Sequence, residues 1–302
     1  MFWFKNAMIY RLTKELDWSN DKLQEQLLSC EFVPCQQSEM SKFGWINPLR
    51  ESELLHFSVA KQILLVAQKE DKILPAQVIK RELEQRINEL EEKENRKLKK
   101  IEKQALKDDV ISVLLPRAFS KSQQTAMWID TEQQLIYIDA ASAKRAEDCL
   151  ALLRKSLGSL PVVPLMFANE PITVMSDWIA NDNAPQWLII GEEAELKGSN
   201  DAAVIRCKKQ DLEAEEVLSL LNAGKYVSQL ALEWEENLTF LLNEDCTLKR
   251  LKFADEIREK NDDILKEDYA QRFDADFILM TATLSKLTEN LLDDFGGEKE
   301  RL

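Results

Sequence analysis

The chain has 302 residues and a net charge of −14, from 40 basic and 54 acidic residues, with hydrophobic residues at 45%. That length suffices for two or three domains and a sizeable core. An acidic total argues against a polyanion partner, and no apolar run approaches the roughly 18 residues needed to cross a bilayer.

The N-terminal "FWFKNAMIYRL" reads as a buried strand rather than a signal peptide, because no charge precedes an apolar run and no small-residue cleavage site follows. Ser19 or Asn20 caps a helix over "DKLQEQLLSC". "FSVAKQILLVAQKE" holds one or two strands, and Pro75 then suits the first position of a helix. From Pro75 to Leu115 the pattern is helical and charged. Ile79, Leu83, Ile87 and Leu90 share one helix face, and a second stripe runs through Leu98, Ile101 and Ala105. Asn95 lies between the two stripes and Pro116 ends the second. The reading is a helical hairpin with little core of its own, projecting from a domain.

Strands return with "TAMWID" and "QLIYIDA" around a polar turn. "ASAKRAEDCLALLRKSLG" is an amphipathic helix stopped by Gly158, followed by the strand "LPVVPLMF". Residues 170–200, with Pro171, Pro185, Gly191 and Gly198, read as an acidic connector. Beyond it come a strand "AAVIRCK", a helix closed by Gly224, three strands ("KYVSQLALEW", "NLTFLLN", "LKRLKF") and a last helix over "FILMTATLSKLTENLLDDF". The expected class is α+β with mixed, mostly antiparallel sheets. Residues 1–74 and 116–170 form a central domain, 75–115 the hairpin, and 171–302 a second α+β domain.

Little catalytic chemistry is legible. The single histidine, His56, would have to serve any Ser-His-Asp or Cys-His mechanism, and its strand-entrance position suits a structural role. The five cysteines are scattered and odd in number, which suits reduced thiols in the cytosol and argues against zinc. Neither a G-x-x-x-x-G-K-[ST] nor a G-x-G-x-x-G motif occurs, so no nucleotide cofactor is expected. Asp274 and Asp276 in "FDADF", with Asp130 and Asp139, are the remaining option, as ligands of a metal-dependent nuclease. Capping or surface charge is the plainer account in so acidic a chain. No catalytic residue and no metal ligand is assigned.

The charge is segregated. Lys93–Lys107 holds seven basic residues (Lys93, Arg96, Lys97, Lys99, Lys100, Lys103, Lys107) against Glu94 and Glu102, leaving −19 on the rest. At 100° per residue the lysines at 99, 100, 103 and 107 span an arc of about 100°, opposite Leu98, Ile101 and Ala105. A helix from Leu98 to Leu115 would be a rod roughly 27 Å long with one packed and one cationic face. Two readings stand: a solvated helix paired with glutamates, or a surface aimed at phosphate. The other basic clusters, at 144–145, 154–155, 206–209 and 249–252, lack interleaved aromatics, so backbone contact with a duplex fits better than stacking on single strands.

Seven strings, "FWFKNAMIYRL", "KILPAQVIK", "RKLKK", "LLPRAFSKSQQTAMWID", "ALLRKSLGSLPVVPL", "KRLKF" and "QRFDADFILMT", resemble the RdgC family of bacterial recombination-associated proteins over essentially the whole chain. The resemblance implies a cytoplasmic, nucleoid-associated protein that binds double-stranded DNA more readily than single strands. It implies a ring-shaped homodimer of horseshoe-like subunits with a basic hole, and inhibition of RecA-promoted strand exchange. Arg96, Lys97, Lys99, Lys100 and Lys103 match the family's basic fingertip, which Lys107 extends, and Lys208 and Lys209 match a second basic stretch. Phe119 matches an aromatic at a subunit contact, with core packing as the alternative. The family has also been described as an exonuclease, and a protein-interaction module is a third reading.

Overall fold

The computed structural model describes residues 3–49, 51–198, 203–265 and 268–300. Phe2, Ser199, Asn200 and Ala202, at the ends of expected elements, lie outside them. In chain order come β1 (Asn6–Leu12), α1 (Asn20–Leu28), β2 (Ser41–Ile46), β3 (His56–Val59), β4 (Gln62–Ile73), α2 (Ala76–Glu94), α3 (Lys100–Leu114), β5 (Phe119–Asp130) and β6 (Leu135–Ile138). They are followed by α4 (Ala143–Leu157), β7 (Val162–Pro164), α5 (Pro171–Asn181), β8 (Leu188–Gly198), β9 (Val204–Lys208), α6 (Glu215–Asn222), β10 (Lys225–Trp234), β11 (Leu238–Asn243), β12 (Leu248–Phe253), α7 (Asp255–Arg258) and α8 (Tyr269–Asp294).

The class is α+β, built on one large antiparallel sheet in the order β2-β4-β5-β6-β1-β12-β11-β10-β8-β9, with β3 beside β4 and β7 beside β1. β1 is the joint: Asn6 and Ala7 pair with β12, whereas Met8–Arg11 pair with β6. The β4, β5 and β6 strands are covered on both faces. Leu65, Ala67, Met127 and Ile136 pack against Leu23 and Leu27 of α1 and Leu150 and Leu153 of α4. Their neighbours Leu64, Val66, Trp128 and Tyr137 share a second core with Phe273, Phe277, Met280 and Leu284 of α8. Burial on both faces explains why these strands read as continuous apolar runs.

Several expectations need correction. As far as Gly198, the stretch expected to be a connector is not one: Pro171 is the first residue of α5, which buries Met175, Trp178 and Ile179, and β8 follows. Proline pre-sets the first helical turn as readily as it breaks a chain. Pro75 is the N-cap of α2, one residue ahead of its expected place, because its ψ of 133° is still extended. "LPVVPLMF" forms only the three-residue β7. The last helix starts at Tyr269 and so takes in "FDADF". β2 had no sequence signal. Its Gly44 is required because the chain crosses there, and a Cβ would lie 2.6 Å from Phe32 Cα. The five cysteines are free thiols, and no helix among the described residues is long and apolar enough to cross a membrane.

Candidate nucleic-acid interface

The hairpin is mounted on a long ribbon. β4 and β5 pair without a break from Gln62↔Asp130 to Ile73↔Phe119, twelve pairs spanning roughly 40 Å at ~3.4 Å per residue. Chain leaving Ile73 enters α2, and chain leaving α3 re-enters the ribbon at Phe119, so both helices sit at the ribbon's end. The first six residues of β5 are exposed. No residue of α2 is buried, and Val110 is the only buried one in α3. The expected stripe Ile79, Leu83, Ile87 and Leu90 is half-buried on α2. Such a hairpin is held chiefly by its own inner face and its turn.

The turn is tied by carboxylates. Asn95 ends α2 in the left-handed region, φ 51°, with its N–H on the Glu91 carbonyl. The Glu91 carboxylate then accepts from Leu98 N at 3.0 Å and Lys97 Nζ at 2.6 Å, with Lys103 Nζ at 3.5 Å. Glu102 accepts both ends of the Arg96 guanidinium, at 2.9 and 2.6 Å, and the Lys99 N–H at 2.7 Å, which caps α3. Glu94 adds a second carboxylate 2.6 Å from Arg96.

These bonds fix the protonation states. The Lys97 ammonium, helped by the Leu98 N–H, lowers the Glu91 carboxyl from 4.5 to about 2. Arg96, helped by the Lys99 N–H, does the same for Glu102, and the guanidinium is pushed up in return. A depressed carboxyl stabilises the fold above its unfolded value, and that contribution is lost as pH falls through the folded value. The turn is therefore expected to stay closed at pH 4 and to open only as pH approaches about 2. The carboxyl carbon shifts of Glu91 and Glu102, followed by NMR, should titrate there; midpoints near 4.5 would show that the bonds do not form.

The cationic face differs from the wheel. Ile101 is 83% exposed and Ala105 is exposed. The inner face carries Leu106 and Val110, with Lys103 half-buried beside them. The apolar stripe opposite the lysines is thus not the packed one, and α3 begins at Lys100 rather than at Leu98. Of the six tip residues singled out, Arg96, Lys97 and Lys103 are ion-paired. Lys99, Lys100 and Lys107 are exposed and make no ion pair among the described residues. The sequence reading gave Glu91 and Glu102 no role in tying the turn, although a glutamate three residues past the N-cap is a capping signal for Glu102.

Lys208 ends β9, at the far edge of the sheet, with Nζ 3.9 Å from Glu193. Lys209 follows it with φ 52°. Their neighbours Arg206 and Arg250 pair with Glu195 and Glu193. Phe119 is 85% exposed, which excludes core packing in the subunit. Beside it Ile73 is also exposed, as is Val113 on α3.

The carboxylates do not converge. Asp274 and Asp276 lie two residues apart on α8, about 200° around the helix. Asp276 is buried and accepts from Asn261 Nδ2 at 2.9 Å. Asp130 accepts the N–H groups of Glu132 and Gln133. Asp139 accepts those of Lys5 and Asn6. These are structural bonds, and no cluster able to hold a metal ion occurs among the described residues. His56 is buried with Nδ1 3.0 Å from Ser58 Oγ, and burial lowers its pKa.

A family model described as "Putative exonuclease, RdgC" matches residues 2–298. The chain belongs to the RdgC family. Relatives named "Recombination-associated protein RdgC" include those of Pasteurella multocida, 73% identical, and Mannheimia succiniciproducens, 75% identical, both over all of each chain. That of Haemophilus influenzae is 71% identical over 99% of this chain and all of its own. Family membership accords with the seven strings and ties the hairpin to proteins named for recombination.

Proposed function

We propose that the protein binds duplex DNA with little sequence preference and single strands more weakly. It acts as a homodimer of horseshoe-like subunits closing into a ring, and limits RecA-dependent recombination by occupying DNA. It works in the cytoplasm, on the nucleoid, without catalysis or cofactor. One observation carries this reading: a helical hairpin at the end of a long ribbon, on a chain of −14, presents Lys99, Lys100 and Lys107 exposed and in no ion pair among the described residues. Segregating charge in this way keeps a local field for phosphate inside an acidic molecule. Lys208 and Lys209 supply a second contact from the opposite edge of the sheet.

Anisotropy of labelled duplexes of unrelated sequence tests it. Affinities should agree among sequences and fall along a linear log–log salt dependence. Absence of binding at low salt would instead favour an interaction module. The nuclease reading draws support from the family description alone. End-labelled DNA should stay full-length with Mg²⁺ or Mn²⁺, and shortening abolished by Asp274→Ala with Asp276→Ala would reverse that part.

The ring needs a subunit contact, and Phe119 supplies the means. Burying a phenylalanine stabilises an interface by about 1.5–3 kcal/mol, and this one is 85% exposed in the subunit. Phe119→Ser should shift sedimentation from dimer toward monomer with the subunit still folded. A wild type that sediments as a monomer would remove the ring.

A further inference from the structure

Of the six tip cations singled out for DNA contact, three already hold carboxylates. Glu91 is unlike an ordinary surface glutamate. Its side chain is only 9% exposed, and it holds Lys97, Lys103 and the Leu98 N–H together. Glu102 grips the Arg96 fork with two parallel bonds, which is also how a guanidinium takes a phosphate. On the basis of the duplex-binding reading above, we propose that Glu91 and Glu102 are internal stand-ins for phosphate. They occupy Lys97, Lys103 and Arg96 in the free protein and leave first contact with DNA to Lys99, Lys100 and Lys107.

The consequence is a count. A cation that binds phosphate releases a counterion from the DNA, giving about 0.9 in the slope of log affinity against log salt for each contact. A cation that stays on its glutamate neutralises no phosphate, releases no counterion from the DNA and adds nothing to the slope. Each engaged tip should therefore contribute about 2.7 to the slope, from three lysines, rather than about 5.4 from six cations. Glu91 and Glu102 are positioning residues in this scheme, and they limit affinity while ordering the turn.

Glu91→Gln tests it, because the amide oxygen still accepts from the Leu98 N–H while the charge on Lys97 and Lys103 is released. The slope for each engaged tip should steepen by about 1.8, with tighter binding at low salt. Glu102→Gln keeps an acceptor for the Lys99 N–H and should steepen it by up to about 0.9, since Glu94 still faces Arg96. Glu84→Gln is the control. It changes net charge equally from a site on α2 whose one ion pair among the described residues is with Lys80, and should leave the slope unchanged. A slope unchanged or shallower in both tip variants overturns the inference, as does an equal rise in the control. If the wild type does not bind duplex at all, the DNA reading fails and takes this with it. If it binds and the variants match it, only this inference fails.

Discussion

Phe277→Ala is expected to destabilise the protein by about 3–5 kcal/mol, the range for emptying a large buried aromatic. Phe277 is fully buried on α8, in edge contact with Phe57 at 5.6 Å between ring centres. The cluster around it joins Leu64, Trp128 and Tyr137 of the N-terminal strands to Leu230, Leu242 and Phe253 of the C-terminal strands. A cavity there has polar backbone and rigid strands on several sides, so collapse cannot refill it. Urea unfolding read by tryptophan fluorescence measures the loss. Ile101→Ala at the tip is the contrast: with the residue 83% exposed, its cost should stay within about 0.5 kcal/mol. A loss below about 1 kcal/mol at Phe277 would mean that α8 does not tie the two halves of the sheet.

Much of the body was legible because its signals are local. The apolar runs in β4, β5 and β6 and the stripe of α4 reflect burial on both faces of one sheet. The failures came where one residue type serves two purposes. Pro171 and Gly191 look like loop punctuation. The first opens a helix, and the second lets β8 pass close to Ala231, whose Cβ would lie 3.2 Å from a side chain placed there. Gly44 hid β2 for a similar reason, since close approach to residues 30–32 excludes a Cβ.

The candidate site was legible in position but not in facing. Seven basic residues in fifteen mark the tip without any structure. The wheel assumed that the apolar residues nearest the lysines face inward. In fact the packed side of α3 is chosen by what α2 offers. Leu106 and Val110 turn toward it, and Lys103 goes with them because Glu91, twelve residues earlier, supplies a partner. Ile101 is left outside as a result. Register between two helices depends on the turn, and the turn depends on Asn95 and two glutamates that composition treats as unremarkable acid.

Reversing charge at Lys99, Lys100 and Lys107 together is expected to abolish most duplex binding while leaving the fold intact. All three are exposed and unpaired among the described residues, so no buried partner is orphaned by the change. Three lost phosphate contacts for each engaged tip flatten the salt slope by about 2.7. Reversal adds repulsion to that loss, so affinity at low salt should drop at least about tenfold, or ~1.4 kcal/mol. The thermal transition should not move, because the tip lies outside both cores. The same exchange at Arg96, Lys97 and Lys103 behaves differently. There each new glutamate faces Glu91, Glu94 or Glu102 directly and opens the turn, so binding falls together with the helical signal of the hairpin. Circular dichroism beside anisotropy separates the two sets: loss of binding without loss of helix marks residues that touch DNA. Unchanged affinity in the Lys99, Lys100, Lys107 variant would remove the tip from the interface and leave the acidic chain without a surface for phosphate at this end.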